Sequence, residues 1–498
     1  MIQYLLLLLL LLLAVLFFLH QLSCGPLKHL PPGPNPWQVL KTLHQFKDKP
    51  HVALYSLAKT YGPLISLRLG GQLIVVASSS AIAKEVLKIH DRPLSGRYLP
   101  SACYQVPGAL SSLTMSRECN DAWKFLRAAS HQSIFSSKAV DSAAMAGVRK
   151  ERVEAMVAHL AGKLGEVVKL EEVVSMTVCN ILTTVLASTD LMNVNDEDKI
   201  RVLVDEIVEM ASAPGLSDLV PALKSVDFWS KANGVKMQGK MRRVWQDVVG
   251  ERRRRPRSGV VLDFLDVLVQ NDFLDDQISI ILTELLIAGT DSTIITVTWL
   301  IVELIRNPQI LSKVRLEIAE SAIEEDGSCN GSITFDESRL SNCEYFQACI
   351  KETLRLHIPG PFLVPHRAIE ACRVRNYIVP KDSIVLVNAW AIHLDPETWK
   401  DASSFRPDRF LLHSDKIDFV GPDLEFLPFG AGRRMCPGYH LGFRNVQLVV
   451  ASLIHCFDWS LPGGENPKNL DIADKFVTTL KREKPLYLIP RIRENYAV

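Results

Sequence analysis

The chain carries almost no net charge: 56 lysines and arginines against 55 acids leave +1 over 498 residues. That removes any charge-based argument for a nucleic-acid or polyanion partner. A disulfide framework is also lacking. Ten cysteines, at 24, 103, 119, 179, 329, 343, 349, 372, 436 and 456, lie scattered with no Cys-x-x-Cys pair. Such spacing suits free thiols in a reducing compartment and excludes a secreted, stapled scaffold. No internal repeat, no long linker and no glycine-rich nucleotide fingerprint is visible. Length alone allows about two to four domains, yet residues 37–498 read as one.

Basic residues are missing ahead of the one long apolar run. Residues 5–19 are uninterrupted and mostly leucine, and with Ile2, Tyr4 and Leu22 the segment approaches the ~20 residues a membrane helix needs. Leu22-Ser23-Cys24-Gly25 is a weak cleavage site, so residues 1–22 read as an anchor rather than a cleaved leader. Lys28 comes after the run, which places the bulk of the chain in the cytosol. On that side the sequon Asn330-Gly-Ser332 stays unmodified. Leu30-Pro-Pro-Gly-Pro-Asn-Pro36, within residues 23–36, reads as a short rigid hinge.

Helical period dominates the rest of the chain, at 52–60, 81–90, 140–164, 199–211, 278–306 and 309–322. Strand-like pieces are few: 64–69 with 72–77 across a Gly-Gly turn, and 383–387. The expected class is mainly α with small β-sheets. The arginine cluster 252–255 reads as a solvated helix end, stopped by Pro256.

Chemistry concentrates in Phe429-Gly-Ala-Gly-Arg-Arg-Met-Cys-Pro-Gly438. One cysteine, Cys436, sits in a glycine-punctuated loop ahead of an apolar helix, and Gly432 and Gly438 permit tight turns and close approach to a flat ligand. Arg434 stands where it can meet an anion. A thiolate beside backbone N–H groups and a helix N-terminus is how haem iron is held by cysteine. The plain alternative is a buried structural thiol. A second constellation, Ala288-Gly-Thr-Asp-Ser-Thr293, puts poor helix formers in the middle of a long apolar helix. Asp291 and the hydroxyls of Ser292 and Thr293 suit proton transfer in a dry site. Glu352 and Arg355 are neighbours at i, i+3 on one helix face.

The spacing Phe-x-x-Gly-x-Arg-x-Cys-x-Gly resembles the haem-binding loop of the cytochrome P450 family. Three further motifs match that family in order, and the likeness covers the anchor, hinge and nearly all of 37–498. It implies the cytochrome P450 fold preceded by a single transmembrane helix, in the endoplasmic reticulum membrane with the catalytic domain cytosolic. It implies haem b with Cys436 as axial ligand, and electrons from NADPH through NADPH-cytochrome P450 reductase. Phe429, Trp123, Arg127, His366 and Arg434 take haem-binding places, the last four supplying charge and hydrogen bonds to propionates. Gly289 leaves room for dioxygen. Ser292 stands where the family usually has threonine, which keeps the hydroxyl and loses the β-methyl. Glu352 and Arg355 meet Arg409 of Phe405-Arg-Pro-Asp-Arg-Phe410 as a structural lock.

Finer likeness, in Ser95-Gly-Arg97, Val387-Asn-Ala-Trp390, Pro365-His-Arg-Ala-Ile-Glu370 and Lys475-Phe-Val-Thr-Thr-Leu480, is to plant alkaloid enzymes. That group contains N-methylcoclaurine hydroxylase, berbamunine synthase and littorine mutase. The implied reaction hydroxylates or oxidatively couples a hydrophobic plant metabolite, an alkaloid. Flavonoid or phenylpropanoid hydroxylation and radical rearrangement are the alternatives, with a non-catalytic membrane haem protein as the rival of another class. Substrate-facing positions carried over are Glu284, Ile287, Ala288, Phe362, Leu363 and Val477. Glu284 has two readings: a carboxylate for a protonated amine, or a side chain that hydrogen-bonds a neighbouring helix or lines a water channel.

Overall fold

The computed structural model describes residues 29–35, 37–39, 48–104, 112–192, 227–255, 257, 263–322, 337–412 and 418–493, with short pieces between 202 and 223. The anchor 1–22, much of the hinge, most of 199–211 and the sequon at Asn330 lie outside the described residues.

Among the described residues nine helices run ten residues or more. They are α1 (Pro50–Tyr61), α2 (Asp121–Ser130), α3 (Ala143–Ala161), α4 (Leu170–Ala187), α5 (Phe228–Arg254), α6 (Asp275–Arg306), α7 (Pro308–Ala322), α8 (Glu344–Leu356) and α9 (Tyr439–Cys456). Local chemistry sets their ends. Asn120 caps α2 by accepting from Trp123 N at 2.9 Å, which also fixes where Trp123 starts its turn. Ser142 caps α3, so the helix begins three residues later than its apolar period suggests. Asp275 and Asp276 favour the N-terminus of α6, and Asn307-Pro308 ends it and starts α7. The 81–90 segment is helical but divided, with Ser80–Lys84 followed by a wider π turn at Glu85–Ile89.

Strands form one five-stranded sheet and three smaller ones. β1 (Leu64–Leu69) and β2 (Gln72–Ala77) pair antiparallel across Gly70-Gly71, with Leu69 opposite Gln72. β3 is Gly96–Arg97, β4 Val168–Lys169, β5 His366–Arg367, β6 Cys372–Val374, β7 Tyr377–Val379 and β8 Ile384–Val387. β9 is Phe457–Ser460, β10 Asp474–Phe476, β11 Leu480–Arg482 and β12 Tyr487–Ile492. The large sheet runs β1-β2-β8-β5-β3, with β2 parallel to β8. Its register sets Arg97 opposite His366. β4-β12-β9 form a three-stranded sheet, and β10-β11 a hairpin.

α6 packs against α4, α5, α8 and α9 in one apolar cluster that reaches from Leu113 to Leu488. α4 and α6 are long and apolar enough to cross a membrane by composition, but most of each is buried inside this cluster. A second cluster fills the space between the large sheet and the segment leading to Gly430. The arginine run at the end of α5 is not simply solvated. Arg252 is buried, with 2.6 Å contacts to both Asp263 and Asp266, and Arg253 reaches Asp275 at 2.6 Å. Helix-end arginines here pin α5 to the start of the segment that leads into α6.

Candidate active site

The cysteine loop is shaped by glycine. Gly430 and Gly432 adopt φ of +70° and +69°. A Cβ at Gly432 would lie 2.0 Å from the Leu87 carbonyl oxygen, so backbone meets backbone there. Cys436 N donates to Phe429 O at 2.9 Å and closes the loop. Gly438, two residues beyond the thiol, then caps α9, which starts at Tyr439. Burial pushes the Cys436 thiol up, and the Gly438 N–H and Arg127 oppose it. Metal ligation removes that proton outright.

Cys436 and the middle of α6 line one cavity of about 600 Å³. Trp123, Arg127, His366, Phe429 and Arg434 line it too. Arg434 is buried, with Nε donating to Ser95 O at 2.9 Å and Nη2 to Ser116 O at 2.6 Å. Its Nη1 is buried without a partner. Arg127 reaches Met435 O at 2.7 Å, beside the thiol. Trp123 donates to Leu113 O at 2.8 Å and carries the Arg434 guanidinium 4.7 Å over its ring.

Arg97 joins this group and was not singled out as a cofactor residue from sequence. It is buried and donates to Val364 O at 2.6 Å and Thr114 O at 3.2 Å. Burial, then Arg434, pulls its guanidinium down to about 9. No ion pair among the described residues neutralises Arg97, Arg127 or Arg434. Three crowded cations and an orphaned guanidinium N–H fit the two propionates of haem. His366 departs from the expectation of charge: burial, then Arg97, pushes it down to about 3. It is neutral, with Nδ1 against Leu94 O at 2.7 Å, and offers a ring nitrogen rather than a cation.

On α6 the hydroxyls turn back on the helix, as buried serine and threonine do. Ser292 donates to Ala288 O and Thr293 to Gly289 O, both at 2.7 Å. Asp291 Oδ2 accepts from Thr479 Oγ1 at 2.6 Å. Gly289 lines the cavity, but the space it frees is taken by α4: a Cβ there would stand 2.8 Å from Leu182 Cδ1. Its missing side chain leaves space into which the Leu182 side chain of α4 packs.

Glu284 faces the loop after residue 111. Its carboxylate accepts from Leu113 N at 2.6 Å and Thr114 Oγ1 at 2.7 Å, and from the Ser112 hydroxyl. Burial raises its carboxyl, opposed by those donors. Glu284 is therefore engaged in hydrogen bonds, though with a loop rather than with the neighbouring helix expected. Ile287, Ala288 and Leu363 line the cavity. Phe362 and Val477 do not. Phe362 packs with Phe476 in a separate apolar cluster, and Val477 is 43% exposed at the hairpin tip. The sequence showed both beside cavity residues but not which way each turn faces.

Glu352, Arg355 and Arg409 meet away from the cavity. Arg355 grips Glu352 at 2.7 and 2.9 Å, and Arg409 Nε reaches the same carboxylate at 3.0 Å. Arg355 also donates to the carbonyls of His393 and Ala402.

A cysteine loop across one cavity from a hydroxyl-rich helix, with three arginines gathered beside the thiol, is an arrangement that suits haem held by a thiolate. Comparison with known proteins agrees. The family profile described as Cytochrome P450 matches residues 31–489. A probable (S)-N-methylcoclaurine 3'-hydroxylase isozyme 2 of Coptis japonica is 39% identical over 97% of each chain. Corytuberine synthase of the same plant is 39% identical over 94% of this chain and 95% of its own. A flavonoid 3'-monooxygenase of Arabidopsis thaliana is 34% identical over 96% and 94%. A zebra fish cytochrome P450 solved with progesterone shares the fold at TM-score 0.74 and 24% identity, covering 89% of this chain and 99% of that one. The chain belongs to the cytochrome P450 family and is a haem-thiolate monooxygenase.

Proposed function

We propose that this enzyme hydroxylates or oxidatively couples a hydrophobic plant alkaloid, with electrons from NADPH delivered by NADPH-cytochrome P450 reductase. The similarity to the N-methylcoclaurine hydroxylase over nearly the whole chain carries this reading. The cavity wall supports it, being largely aliphatic through Leu182, Val185, Ile280, Ile287 and Leu363. Residues 1–22 anchor the chain in the endoplasmic reticulum membrane, 23–36 form the hinge, and 37–498 form the cytosolic catalytic domain.

Cys436 would hold the iron of haem b through its thiolate, with Phe429 at the start of the same loop. Arg97, Arg127 and Arg434 would hold the propionates, with Trp123 and His366 as neutral partners. When bound, haem supplies dioxygen activation for oxidation of the substrate. Asp291, Ser292 and Thr293 hold and move protons at the cavity wall. To pass a proton inward, the Ser292 hydroxyl must turn from Ala288 O, a bond worth about 1 kcal/mol net. Glu352, Arg355 and Arg409 act as structure only.

The test is turnover of the reductase-reconstituted enzyme with a panel of alkaloids and flavonoids, read by mass spectrometry. An oxidised or coupled alkaloid supports the reading. Product only from flavonoids favours the second reading, which the flavonoid 3'-monooxygenase similarity motivates.

A further inference from the structure

Asp291 stands between two cavities. Behind α6 lies a second one of about 330 Å³, walled by Glu171 and Ser175 of α4, Thr290 and Thr298 of α6, and Arg482 of β11. Among the described residues Asp291 is the only one that lines both. The second cavity carries a larger share of polar side chains than the first. The hydroxyls of Thr290 and Thr298 and Nη1 of Arg482 are buried there with no hydrogen-bond partner. Unpaired buried groups of this kind are the usual hosts of ordered water.

The carboxylate between them is held from one side by a neutral group. Thr479 Oγ1 donates to Asp291 Oδ2 at 2.6 Å, and no ion pair among the described residues includes Asp291. Thr479 belongs to the turn between β10 and β11. Phe476 pairs with Leu480 across it, Val477 N bonds Thr479 O at 3.1 Å, and Leu480 N is tied to Pro359 O at 2.8 Å. Thr478 and Thr479 at this turn line the substrate cavity. A hydroxyl catch differs from a salt bridge in one respect. Releasing it leaves no buried, unpaired cation, so the carboxylate can move at the cost of one hydrogen bond.

We infer that Thr479 is a positioning residue whose hydroxyl holds the Asp291 carboxylate at the wall between the cavities. A substrate seated against Thr478 and Thr479 thereby sets the direction in which Asp291 faces. This rests on the reading of Asp291 as a proton carrier and adds what controls it. The carboxylate takes protons from the second cavity and presents them to the first only when the turn is in place.

Two variants separate hydroxyl from shape. Thr479→Val keeps the branched shape and loses the O–H; Thr479→Ser keeps the O–H and loses the methyl. The haem-loaded, full-length enzyme is reconstituted with reductase and NADPH, using (S)-N-methylcoclaurine as probe. Peroxide released per NADPH consumed is then measured. In that side reaction dioxygen takes two electrons from one NADPH and two protons, and leaves as hydrogen peroxide. Thr479→Val is expected to raise the peroxide ratio about two- to tenfold, the factor one hydrogen bond sets, lowering kcat more than it changes KM. Thr479→Ser restores the wild-type ratio. Crystal structures supply a readout apart from activity: in Thr479→Val the Asp291 carboxylate turns into the second cavity, and in Thr479→Ser it stays.

A Thr479→Val enzyme with an unchanged ratio and an unmoved carboxylate overturns the inference. So does a serine variant as impaired as valine, because shape would then be the cause. Asp291→Asn distinguishes the underlying reading. If it leaves the ratio at the wild-type value, Asp291 carries no proton and both readings fall. If it raises the ratio while Thr479→Val does not, only the role of Thr479 falls. The ratio is measured whether or not the probe is converted, so a wrong substrate assignment shows separately as missing product.

Discussion

Glu352→Gln removes one charge and one acceptor from the centre of the buried triad while keeping its volume. Glu352 and Arg355 are both fully buried, and Arg409 is 11% exposed at its side chain. The carboxylate accepts four hydrogen bonds: Arg355 Nε at 2.7 Å, Arg355 Nη2 at 2.9 Å, Arg409 Nε at 3.0 Å and Arg406 N at 2.8 Å. Three of these fall on Oε1 and one on Oε2. A glutamine can place its oxygen at the first position, but its NH₂ then faces the Arg355 Nε–H, donor against donor. Arg355 is left as a buried cation with no counter-charge, which costs about 3–5 kcal/mol. A domain of this size has an unfolding entropy near 1 kcal/mol per degree, so the melting midpoint falls by roughly 3–5 °C. The assay is thermal unfolding of the haem-loaded enzyme, together with the carbonyl band per milligram of protein. None of the three side chains lines the cavity, so turnover per bound haem stays at the wild-type value. A Glu352→Gln protein that melts within ~1 °C of wild type, or one that keeps its midpoint and loses turnover per haem, would refute the structural assignment. A cycle with Arg409→Gln should show coupling above ~0.5 kcal/mol, since both arginine contacts end on one carboxylate.

Cys436→Ser is expected to abolish the red-shifted carbonyl band of the reduced enzyme; its persistence would place the axial ligand elsewhere. Glu284→Gln should weaken a protonated amine and its neutral isostere to the same extent, within about twofold in Kd, because the carboxylate is spent on Ser112, Leu113 and Thr114. A loss confined to the amine would restore Glu284 as a ligand group. His393, buried between Arg355 O and Leu427 N, is pushed from 6.5 to about 3, by burial first and then Arg355. The unfolded chain therefore binds more protons below pH 6.5, so stability falls as pH drops from 6.5 towards 3, by about 2 kcal/mol at pH 5 from this group. Melting midpoints recorded against pH should flatten in that window for His393→Gln; an unchanged slope would mean the imidazole is not held neutral.

Local chemistry was legible in the sequence, and long-range partnership was not. The cysteine loop could be read because glycine spacing and one thiol are contiguous. The β1–β2 hairpin, with Leu69 opposite Gln72, came from two apolar runs around Gly70-Gly71. Glu352 and Arg355 showed as one face of a helix, and the residue that completes their triad came from resemblance. Arg97 carried no local signal of its place among the cations. Its neighbours arrive from β5, α2 and the cysteine loop, and only the register of a five-stranded sheet brings it opposite His366. Glu284 was ambiguous for the same reason, since its partners lie some 170 residues earlier. At Gly289 the sequence carried no sign of Leu182, which lies about a hundred residues earlier and packs against it from α4. Phe362 and Leu363 are adjacent in sequence but point to different places, and the positive φ of Leu363, +55°, is what parts them.

The order of the large sheet also bears on how the chain is made. β2 lies between β1, which leaves the ribosome just before it, and β8, which emerges about 300 residues later. At ~5–20 residues per second the β1–β2 hairpin waits on the order of 15–60 s with one open edge. His366 and the cysteine loop also lie far towards the carboxy end, so the haem pocket cannot be assembled while the nascent chain is short. Slowing synthesis between Ala77 and Ile384 should therefore lengthen the exposure of that edge and lower the yield of haem-loaded enzyme. Slowing it after β12 should change little, because every strand already has its neighbour.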